Sequence, residues 1–225
     1  MLTYKQYLLE LNESEILVEK FERSEKLPKK TIKGYKLFRI NKNQIGKLYP
    51  LFVDANTSVP IGVWLDAKSG EMTDNGKVKS KLGELAYRPG WHSGDVPVAT
   101  HIGEGGTKPK FRPNNQVWAE VEIPDDFNWQ DEAIKRGRKL KKDSKVTGLK
   151  KGDIDPKSAH ITDAIPKDGH YRYKTNPNMT GNWIISGAIK VNRVLTDEEV
   201  EKINNANGVA DLPRREPLDI KELGF

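Results

Sequence analysis

Val117-Trp118-Ala119-Glu120-Val121-Glu122-Ile123 decides how the chain is to be read. Its side chains alternate with period two: Val117, Ala119, Val121 and Ile123 share one face, and Trp118, Glu120 and Glu122 share the other. Such alternation marks a half-buried strand, which Pro124-Asp125-Asp126 ends. Working outward toward the N-terminus, Tyr35-Lys36-Leu37-Phe38-Arg39-Ile40 alternates in the same way. Residues 48–53 and 61–65 are expected as further strands, and Pro50 and Pro60 push them to sheet edges or strand starts. Residues 68–76 form a polar, turn-rich loop with Asn75-Gly76 as its sharpest point. Toward the C-terminus, residues 169–194 read as two strands joined by an Asn176-Pro177-Asn178-Met179-Thr180-Gly181 turn, with Gly187 marking a bulge or close backbone approach. Thr196-Asp197-Glu198-Glu199 is a capping box that opens a helix running to about Asn205.

Helical spacing appears elsewhere. Tyr4, Tyr7, Leu8, Leu11, Val18 and Phe21 recur among charged residues, so residues 3–26 are expected to form an amphipathic helix, followed by a Lys-Pro-rich linker. A shorter helix is expected over 129–142, weakened by Gly137. The expected architecture is α+β: a single mixed or antiparallel β-sheet with peripheral helices and long loops. An N-terminal helical arm and linker span 1–30, the core domain 31–211, and an extended tail 212–225 that wraps across the domain.

Composition narrows the function classes. The 225 residues are 36% apolar and 31% charged, with a mean hydropathy of −0.72, ample for one generous domain. No apolar run approaches the roughly 20 residues of a spanning helix, and Met1-Leu2-Thr3-Tyr4-Lys5-Gln6 lacks the layout of a secretion signal, so no membrane association is expected. Cysteine is absent, which excludes disulfides, thiolate nucleophiles and cysteine-bound zinc and makes an intracellular, cytoplasmic setting the default. The net charge of +6 gives moderate attraction to polyanions. Its densest part lies between 135 and 151, where Lys139, Lys141 and Lys142 serve either as a solvated face or as phosphate contacts for a nucleic acid.

Chemistry concentrates in Leu85-Ala86-Tyr87-Arg88-Pro89-Gly90-Trp91-His92-Ser93-Gly94-Asp95 and nearby His101. Proline and glycine make this segment irregular, and irregular segments carrying such groups are where sites are sought. The four histidines, at 92, 101, 160 and 170, include no helix-borne pair, so no metal is predicted. Gly103-Glu104-Gly105-Gly106-Thr107-Lys108 lacks the spacing of a phosphate loop, and no Gly-x-Ser-x-Gly elbow is present. Glu120 and Glu122 project from one strand face roughly 7 Å apart, as a carboxylate pair or as its solvated side. Arg39 and Arg88 each need a carboxylate or phosphate partner, either a structural one or a ligand's pyrophosphate. Tyr87, Trp91, Tyr171 and Tyr173 are candidates for stacking on a base or nicotinamide, or for packing, and Asn176 and Asn178 for hydrogen bonding a ligand or their own turn.

Three of these segments, Tyr87-Arg-Pro-Gly-Trp-His-Ser-Gly-Asp95, Gln116-Val-Trp-Ala-Glu-Val-Glu122 and Tyr171-Arg-Tyr-Lys-Thr-Asn-Pro-Asn-Met-Thr-Gly-Asn-Trp-Ile-Ile185, resemble motifs of a domain carried by tailed phages and mobile elements, sometimes inside very large polyvalent proteins. The resemblance runs from about Tyr35 to Asp211 and implies a phage-associated accessory role without an assigned activity. A second similarity is to the ADP-ribosyltransferase fold: Tyr35–Arg39 resembles its opening strand and the stretch from Trp183 its closing one. That similarity implies NAD as cofactor, with Arg39 or Arg88 on the pyrophosphate and Tyr171 or Tyr173 against nicotinamide. Asn176 would be a further ligand contact, and Glu120, with His92 and Tyr173, would form the catalytic group. Asn182 stands where a catalytic glutamate would be comfortable, a departure from that pattern. The competing reading is a non-catalytic accessory protein that binds nucleic acid through the basic stretch or a protein partner through the N-terminal helix.

Overall fold

The computed structural model describes residues 27–81, 83–106, 108–135, 167–174 and 180–225. The N-terminal arm, the basic stretch with Lys139, Lys141 and Lys142, and the turn carrying Asn176 lie outside the described residues. The strand that opened the reading is β7, Gln116–Pro124. It pairs along its whole length with β1, Thr31–Ile40, in antiparallel register from Thr31↔Pro124 to Arg39↔Gln116.

Around this pair a mixed sheet runs in the order β3-β11-β7-β1-β6-β10-β9-β8, with β2 joined to the far end of β1. The remaining strands are β2 (Leu48–Tyr49), β3 (Trp64–Asp66), β6 (Trp91–Gly94), β8 (Phe127–Asn128), β9 (Gly169–Tyr173), β10 (Trp183–Ser186) and β11 (Ala188–Val194). The pairing of β8 with β9 is parallel and the other described pairings are antiparallel. A separate hairpin, β4 (Lys77–Ser80) with β5 (Gly83–Ala86), follows the polar loop. The α+β class holds: one large mixed sheet, a small number of peripheral helices and long loops.

Three local expectations change. The strand expected over 48–53 shortens to Leu48–Tyr49, because Pro50 has no N–H to continue the ladder. The one over 61–65 shifts to Trp64–Asp66, leaving Ile61 with a single bridge to Val191. The second strand of 169–194 divides at Gly187 into β10, between β6 and β9, and β11, between β7 and β3. Consecutive residues thus belong to distant parts of one sheet, so the sheet curls round and Gly187 is the corner. There its N–H donates to Gly169 and its carbonyl accepts from Ala67.

The curl gives the sheet an inner and an outer face. Val117, Ala119, Val121 and Ile123 from β7, with Phe38, Ile40, Ile184, Ile189 and Val191, fill the inner core. Full burial contributes roughly 1.5–3 kcal/mol for each larger side chain. The C-terminal tail closes this core, packing Leu218, Ile220, Leu223 and Phe225 against it. Trp118, on the outer face, packs in a cluster with Leu195 and, from helix α1, Asp197–Ala206, Val200 and Ile203. The expected capping box is formed: Thr196 Oγ1 accepts from the Glu199 N–H at 3.2 Å, and Glu199 Oε2 accepts from the Thr196 N–H at 2.9 Å. Among the described residues, no helix is long and apolar enough to cross a membrane. Of the helix expected over 129–142, residues 129–135 are described, and 130–135 are helical.

Candidate functional site

The histidine- and arginine-bearing segment is more regular than its composition suggests. Residues 91–94 are strand β6, inserted between β1 and β10, and the irregular part is the approach through Arg88, Pro89 and Gly90. Gly90 has φ of +126°, and a Cβ there would lie 2.4 Å from Ile185 Cγ2. Only glycine lets the chain turn this tightly onto β10. The turn sets Arg88 beside β9.

There the guanidinium of Arg88 lies 5.5 Å from the centroid of the Tyr173 ring. Burial pushes the Tyr173 phenol up, an effect that the adjacent Arg88 charge opposes. The His92 ring meets Tyr173 edge-on at 6.4 Å, and its Nδ1 lies 3.1 Å from the Gly90 carbonyl, so Nδ1 carries the proton in the neutral ring. Tyr171 lies behind, fully covered by Ala133 and Ile185, and Trp183 closes one side. Arg88 Nε is buried without a hydrogen-bond partner, and among the described residues Arg88 makes no ion pair.

The structure therefore brings Arg88, His92, Tyr173 and Tyr171 together. Glu120 is not among them. Cross-strand register places Glu120, Tyr35, Gly94, Trp183 and Tyr173 in one row across the outer face. Four strand spacings separate its ends, about 19 Å. Glu120 is occupied by Lys33 at 3.0 Å and Arg193 at 3.8 Å, and Glu122 by Lys190 at 2.7 Å. The carboxylate pair is thus the ion-paired outer side of the strand rather than a partner for Tyr173. Arg39 lies apart as well: it stacks on Tyr49 at 5.0 Å and donates to the Ala55 carbonyl, taking a ring and a carbonyl where an acidic partner was expected. Tyr171, with no exposed surface, offers no ring face to a ligand unless residues 130–135 move.

Asn182 and Asp95 have a structural task. Asp95 accepts from the Asn182 N–H at 2.9 Å and from its Nδ2 at 2.8 Å, tying the end of β6 to the start of β10. His101 stands on the far side of Trp183, ring edge against ring at 5.6 Å, and burial lowers its pKa, with Arg112 adding to the effect. His92, Asp95 and His101 do not converge, and no group of three His, Cys, Asp or Glu residues among the described residues could hold a metal ion.

Two charged groups escape the sequence reading. Arg112 and Asp211 form a buried pair at 2.6 Å, and Asp211 also accepts from the Ala99 N–H and the Trp118 indole. They lie 99 positions apart in the chain, and no periodicity could connect them. Lys36 is the second: its alternation with Phe38 and Ile40 placed it on the core face, a signal visible in the sequence. Comparison of the chain with protein-family models, with curated proteins and with solved structures finds no match.

Proposed function

We propose that this protein is an accessory factor of a phage or mobile element that binds a nucleotide-like anion at the Arg88–His92–Tyr173 wall, with NAD as the candidate ligand. One observation carries the reading. Arg88 lies over the Tyr173 ring with its Nε buried and unpartnered and has no carboxylate among the described residues, whereas desolvating a guanidinium favours a carboxylate or phosphate partner. A pyrophosphate supplies that partner, and the neighbouring His92 and Trp183 are suited to its sugar and ring. Ribosyl transfer is less well supported than binding, because Glu120 is about 19 Å away along the strand row and Asn182 is committed to Asp95.

The test is calorimetric titration of the full chain with NAD, ADP-ribose and ADP, alongside an assay for nicotinamide release. Binding that Arg88→Gln abolishes, without nicotinamide release, supports the reading as stated. Release of nicotinamide would raise it to an enzyme. No heat with any of the three would refute it, and a salt-dependent shift with DNA or RNA, lost on neutralising Lys139, Lys141 and Lys142, would favour the nucleic-acid reading that the basic stretch suggests.

A further inference from the structure

Lys36 occupies a position that β1 assigns to the core. The register sets Ala119 of β7 opposite it on one side. On the other side, β6 pairs with β1 at Tyr35↔Gly94, which carries Ser93 alongside Lys36. Both neighbours are small, and they leave room that the lysine stem enters. Beyond that pair the Lys36 Nζ, rather than a strand amide, takes the His92 carbonyl, at 2.8 Å. The same nitrogen lies 5.5 Å from the ring centroids of both Phe38 and Trp91. Ser93 is fully buried and its hydroxyl has no hydrogen-bond partner. The Lys36 residue as a whole is half-buried.

This is an amine and an orphan hydroxyl side by side on an apolar inner face. On that face the register places His170 and Arg172 of β9 beyond Ile184, neither of them a carboxylate, and Asp219, Lys221 and Glu222 of the tail that closes the core are exposed. Desolvation accordingly lowers the amine to about 8. An amine of this kind is a nucleophile near neutral pH.

We infer that Lys36 is a carbonyl-capturing residue, condensing with a small aldehyde on the inner face of the sheet beside the Ser93 hydroxyl. The ammonium first gives a proton to solvent. The freed lone pair forms the N–C bond as the C=O π pair moves to oxygen, and one of the two protons left on nitrogen passes to that oxygen to give a neutral carbinolamine. Loss of that hydroxyl as water, with the second amine proton, leaves the imine. Ser93 Oγ–H is the available donor to the carbinolamine oxygen. The inference is independent of ligand binding at Arg88, which lies on the other face.

Limited reductive methylation of the full chain with formaldehyde and cyanoborohydride, read by peptide mass mapping, tests it. The reagent's hydride reduces each imine as it forms. Lys33, exposed and raised by Glu120, is the internal standard. At pH 7 Lys36 is expected to be modified at least about tenfold faster than Lys33, because more of it is unprotonated, and the advantage should shrink by pH 10. Ser93→Ala should slow capture at Lys36 several-fold while circular dichroism stays unchanged. Labelling of Lys36 no faster than Lys33 at pH 7 overturns the inference, and an undiminished rate in Ser93→Ala removes the hydroxyl from it.

Discussion

Two arginines lie on the outer side of the same sheet, each over an aromatic ring, and they have opposite surroundings. Arg112 lies 5.8 Å from the Trp118 ring, Arg88 5.5 Å from the Tyr173 ring. Arg112 Nη1 and Nη2 bond Ile102, Gln116, Ala99 and both oxygens of Asp211. Arg88 has Tyr173. The difference teaches how to separate a structural charge from a candidate binding one: Arg112 joins a loop, a strand and the tail through one carboxylate, and Arg88 joins β9 to a turn with its anionic partner lacking among the described residues.

The largest effect should come from breaking the satisfied node. Arg112→Ala leaves Asp211 buried without its counter-charge and should cost about 3–5 kcal/mol, read as a lower urea midpoint at unchanged slope. Such a variant should bind NAD as the parent does wherever it is still folded. Next comes the turn that presents Arg88. Gly90→Ala imposes a left-handed φ on alanine and a clash with Ile185, with an expected loss of roughly 1–3 kcal/mol by thermal or urea unfolding. Arg88→Gln should be milder, about 1 kcal/mol from the lost contact with the Tyr173 ring, while abolishing ligand binding. Equal stability losses for Arg88→Gln and Arg112→Ala would erase the contrast.

The smallest effect is a pH dependence. His170 is buried, with Nδ1 3.0 Å from the Pro124 carbonyl and Nε2 3.1 Å from Arg172 Nη1. Burial lowers its pKa, the Pro124 bond opposing and the Arg172 charge adding. The unfolded chain therefore binds a proton more readily than the folded one. Stability present above about pH 6.5, the ordinary histidine value, falls as the pH drops below it and levels off beneath the lowered folded value. His101 has a shift of the same sign on the Arg112 side. Urea midpoints between pH 8 and 5 should show the decline, and His170→Gln should flatten part of it.

The fold was legible where one residue pattern sufficed. Alternation identified β1 and β7 and the apolar face of β7, and the Thr196–Glu199 box located α1. Gly187 was recognised as special, but that it turns one strand into two members of a curled sheet depends on pairings far apart in the chain. The site was half legible. Side-chain type picked out Arg88, His92, Tyr171 and Tyr173, which do meet, but equally Arg39 and Glu120, which do not. The distance between Glu120 and Tyr173 is fixed by the number of strands inserted between them, and strand order is not written in any local pattern. Lys36 was legible and passed over, because a charge at a core phase was read as part of an ordinary alternating strand.

The most direct test is nuclear magnetic resonance of the two arginines in one sample, following the Nε–Hε resonances of Arg88 and Arg112 during titration with NAD. Both Nε atoms are buried without partners, which makes them matched reporters. The Arg88 resonance should move and saturate while Arg112 stays in place. Two stationary resonances, or two that move together, would contradict the assignment of Arg88 as the binding arginine.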